Sequence, residues 1–135
     1  MEHRRVLVDT SIFIEYFRKE NKKNTKLYLL REEGYEIVTS SICYFEYMSG
    51  SKNSEFDTVL FQNIAVINFD KEQAYIASQI FKDLKQKNTL IEFRDILISS
   101  SAIALDVPLA TLNQRHLTNR RFDTLRDIIW TTYTT

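Results

Sequence analysis

Short apolar runs that are rich in Val, Ile or Leu alternate along this chain with longer stretches of helical apolar spacing. The runs cover residues 5–8, 36–38, 65–68, 108–112 and 128–131, and helical patterns fill most of the sequence between them. Short, nearly continuous apolar runs are typical of strands that are covered on both faces. Strands that alternate with helices indicate an α/β domain with a mostly parallel sheet, here of about five strands.

The domain organisation is expected to be simple. The 135 residues contain no internal repeat and no linker rich in Pro, Gly or Ser, so we expect one domain over residues 1–135. The apolar runs are too short for a membrane span, which needs roughly 18 apolar residues, and the N-terminus lacks the apolar segment of a signal peptide. The sequence therefore predicts a cytoplasmic protein that does not associate with membranes.

The overall charge does not favour nucleic acid. The chain has 18 basic and 18 acidic residues and a formal net charge of zero, so binding to nucleic acid needs a local basic patch. One candidate RNA-binding patch near the C-terminus consists of Arg115, His116, Arg120 and Arg121. A second candidate consists of Lys22, Lys23 and Lys26.

Three carboxylates interrupt or immediately precede apolar segments. Asp9 directly follows the first predicted strand, Glu46 lies inside the apolar stretch ICYFEYM, and Asp95 opens the helical pattern FRDILISSSAIALD. A buried carboxylate is costly unless it is paired, hydrogen-bonded or bound to a metal. Ligands in open parallel sheets gather where strands end, so all three acids could converge on one edge of the sheet. Three hard oxygen ligands without a cluster of His or Cys suit Mg²⁺ or Mn²⁺, which activates water and neutralises charge on a phosphodiester.

The residues alone leave alternatives open. Asp9 could cap the helix that begins near Ser11, Glu46 could be half-exposed at the edge of its helix, and Asp95 could be an acid that the helix dipole favours. A phosphoryl-transfer enzyme with Asp9 as covalent nucleophile would want a second Asp two residues on, where Ser11 stands. The single cysteine, Cys43, lies in an apolar helical stretch and is expected to be an inert buried thiol.

Three pieces of the sequence, in order, resemble PIN-domain ribonucleases and most of all the VapC-type toxins of type II toxin–antitoxin modules. They are VLVDTSIFIEYF, TSSICYFEYMSG and FRDILISSSAIALDVPLATLNQRHL, and the resemblance covers essentially the whole chain. It implies a Rossmann-like α/β/α sandwich and an endoribonuclease that depends on Mg²⁺ or Mn²⁺ and uses a metal-activated water. It also implies a cognate antitoxin protein as partner and a homodimer.

The resemblance also implies roles for individual residues. The catalytic and metal-binding acids of the family match Asp9, Glu46 and Asp95, and the small hydroxyl positions near its site match Thr10, Ser11 and Thr111. Asn113 stands where the family often has a fourth acid, and an amide lacks the charge that would hold a second metal tightly. Two alternatives remain, namely a catalytically inactive PIN-fold binding module, which Asn113 favours, and a PIN nuclease of RNA processing.

Overall fold

The computed structural model describes residues 4–112 of the 135-residue chain. Within this range the strands are β1 (Arg5–Val8), β2 (Glu36–Ser40), β3 (Ala65–Ile67) and β4 (Leu109–Ala110). The helices are α1 (Thr10–Arg18), α2 (Lys26–Glu32), α3 (Ser41–Gly50), α4 (Ser54–Phe61), α5 (Lys71–Gln86) and α6 (Phe93–Leu105). None of these described helices is both long and apolar enough to cross a lipid bilayer. The strand predicted at residues 128–131 lies outside the described range.

The strands pair in one parallel sheet in the order β3-β2-β1-β4. Val6 of β1 pairs with Ile37 of β2, and Leu7 pairs with Leu109 of β4. The chain therefore moves outward from β1 to β3 and then returns to the other side of β1 as β4. In open α/β sheets, ligands bind at the carboxyl ends of the strands, at the point where the strand order reverses. Asp9 follows β1 directly and so lies at this point.

Helices cover both faces of the sheet. Successive side chains of β1 point to opposite faces, and the apolar residues Val6, Leu7 and Val8 are all buried, so both faces need a covering layer. One buried cluster joins the sheet to α5 and α6 and includes Leu7, Val38, Leu84, Ile96, Ile98 and Leu109. The other joins the sheet to α1 and α2 and includes Val6, Val8, Ile12, Phe13, Leu27 and Leu30. This arrangement confirms the predicted α/β/α sandwich with a parallel sheet.

The ends of several helices follow signals that are visible in the sequence. Ser40 Oγ accepts a hydrogen bond from the backbone N–H of Cys43 at 3.0 Å and so caps α3, and Asp70 caps α5 in the same way. Gly34 follows α2 with a positive φ of 89°, as expected of a residue that ends a helix. Gly50 differs, since it is the last residue of α3 and the extended residue Ser51 takes the cap position.

Candidate active site

Asp9 occupies the N-cap position of α1, yet its side chain makes no capping hydrogen bond. The residue is fully buried, at 0% exposure. Its Oδ2 atom accepts hydrogen bonds from Ser11 Oγ at 3.0 Å and from Thr111 Oγ1 at 2.8 Å. Because Thr111 directly follows β4, adjacent strands deliver Asp9 and Thr111 to the same edge of the sheet. The capping role that the sequence left open for Asp9 is therefore wrong.

Glu46 lies on α3, the helix that begins where β2 ends. Its side chain is 29% exposed, so it is partly buried. The Oε1 atom of Glu46 accepts a hydrogen bond from Thr10 Oγ1 at 2.8 Å. The three hydroxyl residues of the prediction thus divide their contacts, since Thr10 contacts Glu46 while Ser11 and Thr111 contact Asp9.

Asp95 lies in the first turn of α6, where an acid interacts favourably with the helix dipole. Its side chain is only 7% exposed. An acid does not need to be buried to interact with the helix dipole, so the dipole does not explain this burial. Burial of a carboxylate requires a partner, and the partner of Asp95 is the neighbouring residue Arg94.

The guanidinium group of Arg94 contacts all three carboxylates. Its Nε atom donates to Glu46 Oε2 at 2.7 Å, and Nη1 donates to Asp95 Oδ1 at 2.9 Å. Nη2 donates to Asp9 Oδ1. The three predicted acids therefore surround one positively charged group, and each contacts a different nitrogen of it. The sequence prediction missed Arg94, and its one available signal was a cation beside Asp95 at the start of an otherwise apolar helix.

Arg94 keeps its charge in this setting. Burial alone would lower the pKa of Arg94, because the charged form loses water. The hydrogen bond to Glu46 and the negative charge of Asp9 outweigh burial and raise this pKa above its ordinary value. The guanidinium therefore stays charged and neutralises part of the charge of the carboxylates.

Cys43 also borders the carboxylates. Its Sγ atom lies 3.7 Å from Asp9 Oδ1, and ligand atoms of Asp9, Cys43 and Glu46 all lie within 4.8 Å of one another. Asp95 is outside this group and is connected to it through Arg94. Burial, and then the charge of Asp9, raises the pKa of the Cys43 thiol. A metal ligand must be a thiolate, so the protonated thiol serves as a buried hydrogen-bond donor, as its place in an apolar helix suggested.

The donor set of the site fits a hard divalent cation. Carboxylate oxygens are the ligands that Mg²⁺ and Mn²⁺ prefer, and Asp9, Glu46 and Asp95 supply them from separate elements of the fold. The bound guanidinium of Arg94 shows that this point attracts positive charge. These three acids are the residues that could hold the ion.

A cavity of about 390 Å³ adjoins the carboxylates on the side of Glu46. Helices α1 and α3 form its walls, and its lining includes the cations Arg18 and Lys52, which the sequence prediction did not single out. Lys22, one member of the second predicted basic patch, contacts the C-terminal end of α1. Lys22 Nζ donates to the carbonyl oxygens of Tyr16, Phe17 and Lys19 at 2.6, 3.0 and 2.7 Å and so closes the end of α1.

The remaining predicted site residues lie outside the described range of the chain. They are Asn113 and the basic patch of Arg115, His116, Arg120 and Arg121. The predictions for their roles stay predictions.

Comparison with known families identifies the class to which this fold and site belong. The family model for the PIN domain matches residues 6–122, a range that contains every described strand except the first residue of β1. The matched range also contains the three carboxylates and Arg94. The chain belongs to the PIN domain family.

Relatives with known names narrow the comparison within that family. The chain is 30% identical over 115 residues to ribonuclease VapC1 of Methanocaldococcus jannaschii, across 85% of this chain and 80% of the relative. A structure of VapBC2 from Rickettsia felis bound to a promoter DNA fragment matches with a TM-score of 0.66 and 26% identity, over 82% of this chain and 89% of that one. A toxin–antitoxin complex from Klebsiella pneumoniae shares the fold, with a TM-score of 0.70 and 19% identity over 85% and 92% of the two chains. The protein is thus a relative of the VapC ribonucleases.

Proposed function

We propose that this protein is a metal-dependent endoribonuclease and the toxin of a type II toxin–antitoxin pair. The observation that carries the proposal is the convergence of Asp9, Glu46 and Asp95 on one cation at the carboxyl edge of a parallel sheet. A site without activity has no need to keep three acids together at the cost of neutralising them. The relative from Methanocaldococcus jannaschii is a ribonuclease, which favours RNA as the substrate.

The carboxylates of Asp9, Glu46 and Asp95 hold one Mg²⁺ or Mn²⁺ ion. When bound, the ion supplies an activated water and positive charge against the phosphodiester. Hydroxyl groups of the chain orient these ligands. Ser11 and Thr111 donate to Asp9, and Thr10 donates to Glu46. Such outer hydrogen bonds determine how ligands are directed at a metal. The reaction is hydrolysis of an RNA phosphodiester bond that leaves a 5′-phosphate.

The cavity beside Glu46 is the proposed path of the RNA strand. Arg18 and Lys52 line this cavity and provide positive charge for phosphate groups of the strand. Phe17 also lines the cavity and is 42% exposed, so it offers a ring face on which an unpaired base can stack. These local features supply the attraction for RNA that the zero net charge does not.

A cognate antitoxin is the proposed protein partner. The Rickettsia felis relative was solved as VapBC2, and the Klebsiella pneumoniae structure is a toxin–antitoxin complex. Phe17, Tyr44 and Phe45 expose apolar surface on α1 and α3, the helices that form the walls of the cavity. Exposed apolar groups of this kind are suited to a protein partner. The homodimer implied by the resemblance stays a prediction.

Cleavage of RNA by the purified protein tests the enzymatic part of the proposal. We expect cleavage with Mg²⁺ or Mn²⁺, no cleavage with EDTA, and no cleavage by Asp95→Asn. Asp83→Asn is the matched control, because Asp83 is an exposed acid on α5 that pairs with Lys87. Cleavage that survives Asp95→Asn would contradict the assigned site. Silence of the wild-type protein on all RNA, without stabilisation by Mn²⁺, would favour an inactive binding module.

The toxin role needs a test of its own. Expression of the wild-type protein in a bacterial host should arrest growth, and Asp95→Asn should relieve the arrest. Co-expression of an antitoxin gene from directly upstream should relieve it as well. RNA cleavage without growth arrest, and without such an upstream gene, would favour a PIN nuclease of RNA processing.

A further inference from the structure

The two carboxylate oxygens of Asp9, and likewise those of Glu46, have different partners. Asp9 Oδ2 accepts hydrogen bonds from Ser11 and Thr111, and Glu46 Oε1 accepts one from Thr10. These hydroxyl groups belong to residues at the start of α1 and just after β4. One oxygen of Asp9 and one of Glu46 are therefore held by hydroxyl groups, and the second oxygen of each is directed away from them.

Arg94 binds the second oxygens. Its guanidinium contacts Asp9 Oδ1 and Glu46 Oε2, the two atoms that the hydroxyl groups leave available. It also contacts Asp95 Oδ1, so one oxygen from each acid points at the same group. The atoms that a metal ion between the three acids requires are thus the atoms that Arg94 occupies.

A divalent ion and the guanidinium cannot use these oxygens together. Mg²⁺ needs its oxygen ligands at about 2.0–2.1 Å in near-octahedral geometry. The guanidinium holds Glu46 Oε2 and Asp95 Oδ1 at 2.7 and 2.9 Å, and its charge repels a second cation at close range. We propose that Arg94 is a built-in competitor of the metal, whose guanidinium fills the cation site of Asp9, Glu46 and Asp95 in the metal-free protein and leaves when the metal binds.

The position of Arg94 permits this exchange. Arg94 is the second residue of α6, and 23% of its side chain is exposed, so it can turn toward water without unfolding of the helix. In the metal-free protein it prevents repulsion among the acids, and metal binding then includes the cost of moving it. The inference deepens the proposed function, on which it rests in taking a divalent ion as the cofactor.

Isothermal titration with Mn²⁺ tests the competition. We expect Arg94→Gln to bind Mn²⁺ at least about tenfold more tightly than wild type, because a positive charge is removed from the site. Arg31→Gln, at an exposed arginine of α2, is the matched control and should bind like wild type. Weaker binding by Arg94→Gln would show that Arg94 braces the ligands, and unchanged binding would show that it is not in the way. Either result, or no Mn²⁺ binding by both proteins, would overturn the proposal.

A measurement on the wild-type chain avoids dependence on a variant that fails to fold. The Nε–H of Arg94 donates to Glu46, so its NMR signal should be protected from exchange in the metal-free protein. Saturation with Mg²⁺ should abolish this protection, whereas the same ionic strength of Na⁺ should not. A protected Nε–H at saturating Mg²⁺ would overturn the proposal. Neither test uses RNA, so a protein that shows the competition but cleaves nothing would contradict only the proposed function.

Discussion

At the scale of single residues, the charge balance of the site depends on Arg94. Asp9, Glu46 and Asp95 together carry a formal charge of −3, and the guanidinium returns +1. Three acids considered without a counter-charge should repel one another in the metal-free protein. With Arg94 present they form a network of ion pairs, and removal of one member leaves buried charge with less compensation.

Neutralisation of Asp9 tests whether repulsion among the acids or their ion pairing with Arg94 has the larger effect on stability. We expect Asp9→Asn to lower the metal-free unfolding free energy by about 1–3 kcal/mol, since Asp9 is fully buried and its carboxylate accepts hydrogen bonds from charged and neutral donors. Urea unfolding in EDTA measures the change, with Asp83→Asn as the exposed control. A variant as stable as wild type, or more stable, would mean that repulsion among the acids outweighs the ion pair with Arg94.

The hydroxyl of Thr111 provides a second test at this scale. Thr111→Val keeps the shape of the side chain but removes the donor that lies 2.8 Å from Asp9 Oδ2. Loss of such an outer hydrogen bond should weaken Mn²⁺ binding by about tenfold or more. Thr111→Ser retains the hydroxyl and should bind close to wild type. Equal behaviour of the two variants would show that this hydrogen bond does not orient Asp9.

The three acids were predictable from sequence, but their cation was not. Asp9 and Asp95 stand at boundaries between strand and helix, and Glu46 interrupts an apolar stretch, so each is unusual for a solvated acid. An arginine in the first turn of a helix is by contrast ordinary, because its long side chain reaches water from almost any position. Whether the Arg94 side chain points to the sheet edge depends on the distances between elements in the fold. Spacing along the sequence does not give these distances.

At the scale of elements, the site is formed by the residues that follow β1, the first turn of α6 and the middle of α3. Helices α1 and α3 begin at the ends of β1 and β2, and α6 presents its first turn to the same edge. Apolar runs located the four described strands to within a few residues. The buried face of α3 could not be predicted from sequence, because apolar residues occur on nearly all sides of this helix. The structure buries Tyr47 at 5% exposure and leaves Phe45 at 68%.

The cap of α3 links helix stability to the position of Glu46. Ser40→Ala removes the side-chain acceptor for the N–H of Cys43 and should lower the unfolding free energy by about 1 kcal/mol. Ser49→Ala is the matched control, because Ser49 is an exposed serine of the same helix and donates only to the carbonyl of Phe45. Urea unfolding of both variants gives the comparison. Equal losses would show that the cap contributes nothing beyond an ordinary serine of α3.

At the scale of the whole molecule, the absence of net charge limits how RNA can bind. A general attraction for phosphate is missing, so affinity must come from cations placed near the carboxylates, which themselves repel phosphate. Arg18 and Lys52 line the cavity next to Glu46 and have this placement. Lys87, by contrast, is an exposed lysine of the surface that pairs with Asp83 and does not line this cavity.

Charge reversal at two lysines therefore distinguishes a local RNA path from general electrostatics. In an Asp95→Asn background that prevents cleavage, Lys52→Glu should weaken RNA binding by about tenfold, since one phosphate contact is lost and repulsion replaces it. It should also reduce the slope of log Kd against log salt by about one. Lys87→Glu changes the net charge equally and should leave both quantities near wild type. Fluorescence anisotropy at several salt concentrations measures the Kd and its salt slope.

Equal weakening of RNA binding by Lys52→Glu and Lys87→Glu would contradict the local path. No weakening by either variant would mean that RNA binds at another surface. The first candidate is then the predicted patch with Arg115, Arg120 and Arg121.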